Sequence, residues 1–256
     1  MEKKNLSRRS ASMILGKHFT VESNGLLTFA AGVLAPEPDV RRLADALPVL
    51  YADVPPSDRP LYYMYRGVCL ENDRELYQQH DIRYDITVIL PGTIGKEYIK
   101  TVGHFHPLKP HSSETYPEYY EVLDGEAIYL FQKNNRSGDV EEVMAIEAKK
   151  GDKVFIPPAY GHVTINPGNK PLVMANLIES HFSSLYGPFR EKRGAAYYYL
   201  EGEDSKGDFV KNPRYQNSVA LKLVAAPSLT QPVSAVKNKS LYEAFIAEPE
   251  AFKILK

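Results

Sequence analysis

A single cysteine, Cys69, occurs in 256 residues, which excludes an internal disulfide and suits a reducing compartment. A lone thiol of this kind reads as a small apolar filler rather than a nucleophile. No apolar run approaches the length of a membrane span. The charged opening, residues 1–9, is not followed by the apolar core of a signal peptide. The cytoplasm is therefore the expected location. An excess of one charge is also missing: 31 Lys and Arg against 32 Asp and Glu leave a formal charge of −1. Such a chain offers no basic field to nucleic acid, and any anion must be recognised locally. What is present, 43% hydrophobic and 25% charged residues, is ordinary for a globular protein, at a length that admits one large domain or two small ones.

Taken in order, residues 12–18 suggest a short helix, and residues 20–29 two short strands around an Asn24-Gly25 turn. Asp39 reads as the N-cap of a helix that runs to Leu47 and stops before Pro48. The turn cluster Pro55-Pro56-Ser57-Asp58-Arg59-Pro60 is the expected seam before a β region. Strands are then expected over 61–66, 82–90, 98–106, 116–123, 127–132, 140–145, 153–156, 162–166, 172–178 and 195–200. Turns such as Pro91-Gly92 and Asp124-Gly125 separate them. That density of short strands argues for a sandwich or closed barrel rather than a parallel sheet. Residues 201–232 read as polar turns. Ser240 with Glu243 three residues on is a capping box opening a terminal helix that Pro249 interrupts.

One stretch carries chemistry. His104 and His106 are two apart, so on an extended chain both imidazoles leave one face. Glu118 opens a strand-like run, and His162 follows in Gly161-His162-Val163-Thr164. Three histidines and a carboxylate are a first shell for a divalent transition metal, with positions left for substrate or water. Glu114 and Glu121 are alternative carboxylates. Six residues separate Glu118 from Gly125, a spacing that selects Glu118 through the motif resemblance that follows. By strand parity Glu118, Tyr120 and Val122 share a face while Glu121 takes the other.

These blocks resemble the paired motifs of the cupin superfamily. His104-Phe105-His106, Glu118 and Gly125 fit the first motif, and Gly151, Pro157, His162 and Asn166 fit the second, with Ala159 where glycine is usual. Eleven residues, 107–117, separate His106 from Glu118, more than the pattern allows. The run Pro91-Gly92-Thr93-Ile94-Gly95-Lys96-Glu97 and the ending Thr101-Val102-Gly103-His104-Phe105-His106 are similar to the cupin-type glucose-6-phosphate isomerases, first known from archaea. Residues 40–43, Tyr62, Tyr65, Pro157-Pro158 and Tyr186-Gly187 extend the resemblance over about 20–190.

The resemblance implies an all-β cupin (jelly-roll) barrel over 58–195. A segment 1–57 with a short helix and hairpin would pack on it, and residues 196–256 would form a C-terminal, partly helical extension. It implies a metal-dependent enzyme of glycolysis and gluconeogenesis interconverting glucose 6-phosphate and fructose 6-phosphate. His104, His106, Glu118 and His162 would hold the metal, Fe(II) with Mn, Ni or Zn able to substitute. Thr87, Thr101 and Gly103 would hold phosphate, with Tyr186 on the other side, and Tyr62 and Tyr120 would shape the sugar pocket. Read from the residues alone, Lys96, Lys100 and Arg66 are candidates to neutralise the phosphate. Glu118 is the candidate catalytic base through a cis-enediol, with a direct hydride shift as the alternative. A metal-bound carboxylate is a weaker base than a free one. The resemblance also implies a homodimer and a small phosphosugar partner. Rival readings are an isomerase or epimerase of another phosphosugar such as mannose 6-phosphate, an Fe(II) dioxygenase, and a non-catalytic sugar-phosphate sensor.

Overall fold

The computed structural model describes residues 18–203, 207–216, 219–229 and 231–256. The helix expected over 12–18 lies outside them apart from His18. In chain order the strands are β1 (Phe19–Val21), β2 (Leu27–Phe29), β3 (Val33–Leu34), β4 (Asp39–Arg42), β5 (Pro60–Tyr65), β6 (Cys69–Leu70), β7 (Ile82–Ile89), β8 (Thr93–Ile94) and β9 (Glu97–Tyr98). They continue as β10 (Glu118–Asp124), β11 (Glu126–Asn134), β12 (Val140–Lys149), β13 (Lys153–Ile156), β14 (Tyr160–Ile165), β15 (Leu172–Glu179), β16 (Tyr197–Glu201), β17 (Gly207–Lys211) and β18 (Leu221–Ala225). Short helices α1 (Leu43–Ala46), α2 (Arg74–Gln79), α3 (Gly187–Glu191) and α4 (Leu241–Ala247) complete the set, with 3-10 turns between.

The fold is largely β-sheet with short helices. A six-stranded sheet runs β13-β10-β15-β7-β5-β4 and a four-stranded sheet β14-β11-β12-β18. A second four-stranded sheet, β17-β16-β9-β8, and two small hairpin-like pairs are separate. Among the described residues the ladders do not join into one closed barrel. The main core lies between the two larger sheets, where Tyr62, Tyr120, Ile89, Val122 and Met174 share a cluster with Tyr129, Phe131 and Ile146.

The Asn24-Gly25 hairpin forms as expected. Gly25 sits at φ +86, a left-handed conformation that favours glycine. The helix expected from Asp39 does not. Residues 39–42 are the edge strand β4, paired with β5 through Val40↔Tyr63 and Arg41↔Tyr62. Helix α1 begins only after Arg42, whose backbone N–H donates to Asp45. Pairing with an aromatic strand outweighs the weak capping signal of Asp39. The strand expected over 98–106 is also corrected. Beyond β9 the chain is extended but irregular, because Gly103 turns at φ +75. It touches β14 and its surroundings at single bridges, Lys100↔Ile165, His104↔His162 and Phe105↔Leu185. Within 201–232, expected as turns, β17 pairs with β16 and β18 runs parallel to β12.

A second core covers the outer face of the six-stranded sheet. Tyr63, Tyr84, Tyr119, Val173 and Leu177 from the sheet pack against Leu27 of the first hairpin and Leu241, Tyr242, Phe245 and Phe252 of the C-terminal tail. Ser240 caps α4 in the expected box with Glu243. Two polar latches tie the tail to β10: Val233 N donates to Tyr119 Oη (3.0 Å) and Leu241 N to Glu121 Oε2 (2.7 Å). Phe245 and Phe252 are fully covered, each worth about 1.5–3 kcal/mol relative to exposure.

Candidate active site

Three segments meet at one point. Strand β10 presents Glu118, β14 presents His162, and the irregular 99–107 run presents His104 and His106. Backbone bonds fix that run against β14: His104 N donates to His162 O (3.2 Å), His162 N to His104 O (3.0 Å), and Thr101 N to Thr164 O (2.8 Å). Such close approach requires glycine at 103. A Cβ there would lie 2.5 Å from Val163 Cγ2 and 3.0 Å from His162 O. Asn166, the last residue of the second motif, serves the scaffold by donating to Ile89 O and Lys170 O (2.9 and 2.8 Å).

His104, His106, Glu118 and His162 offer ligand atoms that all lie within 4.8 Å of one another. His104 Nε2 and His106 Nε2 are 3.2 Å apart, and Glu118 Oε2 stands 3.4 Å from both His106 Nε2 and His162 Nε2. Donors held at about 2.0–2.2 Å from one ion are themselves roughly 3–4 Å apart, so the cluster is close to ligating geometry. His106 Nδ1 donates to Tyr116 O (2.8 Å), which leaves the Nε2 lone pair facing the cluster. Glu118 Oε2 and His162 Nε2 are buried and make no hydrogen bond, a costly arrangement unless something else engages them.

The electrostatics agree. Burial pushes His104 and His162 well below the ordinary histidine range, with neighbouring imidazoles adding to it, and burial brings His106 to about 4. All three are neutral at pH 7, the form that ligates. Burial, followed by the nearby Asp85 charge, drives Glu118 well above the usual carboxylate range. Neutral imidazoles around a carboxyl whose ionisation is disfavoured by burial until a cation arrives suit a divalent metal, and these residues fit one.

The cluster opens into a cavity of about 340 Å³. Tyr62, Thr87, Thr101, Gly103, Tyr120 and Tyr186 all line it, beside His104 and Glu118. Thr101 Oγ1 accepts from Thr164 N (3.0 Å), which leaves its proton free for the cavity. Tyr62 Oη accepts from Val102 N (3.2 Å). The Tyr186 ring lies 5.5 Å from the Arg190 guanidinium carbon and 5.8 Å from that of Arg41. Lys100 is the exception and is corrected. Its Nζ donates to Val49 O (2.7 Å) and lies 3.4 Å from Glu97 Oε1, buried away from the cavity. Lys96 is exposed on a turn and does not line it either, whereas Arg66 does.

Sequence reasoning missed Arg83, Asp85 and Asn176, which also line the cavity. Arg83 and Asp85 were within reach: they alternate with Thr87 on β7 and so share its face. The 107–117 insertion is a short excursion bridged at Leu108↔Thr115. Its last residues serve the site, since Tyr116 O orients His106 and the Tyr116 ring stacks on Phe182 (4.6 Å, 17°).

A model of the glucose-6-phosphate isomerase family matches residues 40–216, a span that contains every residue of this site. The chain belongs to the glucose-6-phosphate isomerase family. Its similarity is to the archaeal, cupin-type members. The glucose-6-phosphate isomerase of Thermococcus kodakarensis is 31% identical over 69% of this chain and 87% of that protein. The Thermococcus litoralis protein of the same name is 28% identical over 74% of this chain and 94% of its own. The Pyrococcus horikoshii one is 30% identical over 55% and 68%. Among solved structures, Bacillus subtilis oxalate decarboxylase aligns at TM-score 0.35 and 17% identity over 49% of this chain and 27% of that one, too little to bear on its chemistry. The protein is thus a phosphosugar isomerase. It carries a His/His/Glu/His cluster able to bind a divalent metal, and no helix among the described residues is long and apolar enough to cross a membrane.

Proposed function

We propose that this enzyme interconverts glucose 6-phosphate and fructose 6-phosphate with a divalent ion held by His104, His106, Glu118 and His162, Fe(II) being the first choice. When bound, the ion supplies Lewis-acid stabilisation of the negative charge that develops on the sugar oxygens. The protein's own groups do the rest. The Thr87 and Thr101 hydroxyls and the backbone at Gly103 receive the phosphate, with Tyr186 opposite. Tyr62 and Tyr120 line the sugar path. Glu118 would take a proton from C2 on a cis-enediol path; in a direct hydride shift it serves as ligand alone. Phe182, stacked on Tyr116 and 4.7 Å from the His106 ring, keeps water from that side of the cluster. The wider reading has residues 58–195 as a cupin jelly roll with flanking segments 1–57 and 196–256, two copies assembling as a homodimer, and the cytoplasm as the compartment.

One observation carries the proposal. Four ligand atoms converge beside a cavity that also presents Thr87 and Thr101, and two of them, Glu118 Oε2 and His162 Nε2, have no hydrogen-bond partner. A coupled assay in both directions, before and after chelation and again after return of Fe(II), Mn, Ni or Zn, tests it. Turnover lost on chelation and restored by metal is expected. Full turnover in thoroughly metal-free protein refutes the metal role. Exclusive turnover of mannose 6-phosphate, or oxygen uptake, replaces the substrate assignment.

A further inference from the structure

The floor of the cavity is ordered in rows by the sheet register. Met64, Thr87 and Met174 are cross-strand partners in one row. Two residues along, Asp85 is paired with Asn176, and Asn176 with Tyr120. Two residues further stand Arg83, paired with Ile178, and on β10 the metal-cluster residue Glu118. The Asp85–Asn176–Tyr120 row therefore lies between the threonine assigned to phosphate and the carboxylate assigned to metal. An open-chain sugar phosphate that spans those two ends crosses this row with its middle carbons. This step rests on the proposed placement of phosphate and metal.

Asp85 and Asn176 are chemically suited to that crossing. Asn176 is 6% exposed, and no described residue gives a hydrogen bond to its amide or takes one from it. The amide is not sealed in protein: it faces the cavity, where water or a ligand completes its hydrogen bonds. Asp85, 4% exposed, is a fixed acceptor: its Oδ1 takes Gly67 N (2.8 Å) and Arg83 Nε (2.7 Å). Its Oδ2 is 3.0 Å from Arg83 Nε and 3.8 Å from Arg66 Nη1. A carboxylate has about four lone-pair sites, so capacity remains on the cavity side. An amide that both donates and accepts, facing a carboxylate that only accepts, matches a pair of adjacent hydroxyls.

We propose that Asn176 and Asp85 read the C3 and C4 hydroxyls of the substrate, and so set its stereochemical specificity away from the reacting carbons. Isomerisation changes only C1 and C2, so contacts at C3 and C4 are equal in ground and transition states and act on KM rather than kcat. Arg83 is a positioning residue that holds the Asp85 carboxylate in place.

The test uses Asn176→Ala in the metal-loaded protein, because that change removes a group with no protein partner and should leave the fold at least as stable. Steady-state kinetics are measured with glucose 6-phosphate and with its 3-deoxy and 4-deoxy analogues. The expected result is a KM for glucose 6-phosphate raised roughly tenfold to a hundredfold, with kcat within a few-fold. For one deoxy analogue, the one lacking the hydroxyl that Asn176 reads, KM should be the same in wild type and variant. Asp85→Asn, a nearly isosteric change, is read the same way alongside thermal melting. An unchanged KM for glucose 6-phosphate, or an equal loss on all three sugars, overturns the proposal. Failure of the underlying placement looks different: Thr101→Val would then leave KM for the phosphorylated sugar unaltered whatever Asn176 does.

Discussion

Thr101 is where one substitution separates anchoring from architecture. Its Oγ1 accepts from the Thr164 backbone N–H at 3.0 Å, and Thr164 is 1% exposed. Thr101→Val keeps shape and β-propensity but removes that acceptor, leaving a buried N–H unpaired at a cost of about 1–3 kcal/mol. For a chain of this size, each kcal/mol lowers Tm by roughly 2–4 °C. The same change deletes the hydroxyl proton offered to phosphate. A hydrogen bond to a charged group contributes about 1.5–3 kcal/mol, or roughly one to two decades of affinity. The loss should fall on KM for the sugar phosphate with kcat nearly held. Thr101→Ser retains the oxygen and should restore both Tm and KM. Melting, metal content and steady-state kinetics on all three proteins make the assay, with free glucose as comparator. If the valine variant melts like wild type, the hydroxyl is not the acceptor described. If serine fails on KM as badly as valine, or free glucose suffers in proportion, Thr101 does not hold phosphate.

Three further outcomes are expected. In metal-free protein, His106 has a folded-state pKa of about 4 against about 6.5 unfolded, so below pH 6.5 the unfolded chain takes up the proton first. The share of stability that His106 contributes should fall from pH 6.5 towards 4 by about 3 kcal/mol at about 1.4 kcal/mol per pH unit, with His104 and His162 acting in the same direction and Glu118 in the opposite one; the drop in urea midpoint over that range should be smaller in His106→Gln. Glu118→Gln should abolish tight metal binding, whereas Glu121→Gln should leave metal affinity intact and lower Tm, since Glu121 holds Leu241 N and Lys153 instead; equal metal loss in both, by metal analysis, refutes the assignment of faces. Ala159 occupies the motif's glycine position at φ +72, a strained conformation for an L residue, so Ala159→Gly should raise stability by about 1 kcal/mol, and an unchanged or lower denaturant midpoint would contradict that.

Much of this was legible because it is written locally. Asn24-Gly25 and Asp124-Gly125 specify their turns through residues that tolerate left-handed backbone. Alternation on β7 and the apolar run of β15 specify strands, and motif spacing brings the four cluster residues together. What was not legible depends on partners far away in sequence. Asp39–Arg42 became a strand because β5 lay beside it, although Asp39 by itself is a good helix cap. Strand β17 is a short, half-exposed edge whose polar residues mimic a turn, whereas β18, Leu-Lys-Leu-Val-Ala, carried a legible apolar signal that the polar residues around it masked. Lys100 points inward to Val49 rather than to the cavity because the irregular chain around Gly103 breaks strand parity. Asn176 carries no local signal, being one polar residue in an apolar strand whose significance comes from Asp85 opposite.

Strand β10 is a party wall. Its even-numbered residues Glu118 and Tyr120 furnish the catalytic room, while Tyr119 and Glu121 bolt the tail to the outside through Val233 and Leu241. Residues beyond 216 fall outside the family match, yet cutting the chain there would strip that wall bare. It would expose Tyr84, Tyr119 and Leu177 to water and unbolt the strand that carries Glu118. Excising a minimal enzyme along the family boundary should therefore yield an aggregating fragment, and chimeras with shorter relatives need a rebuilt exterior before their active sites can be compared.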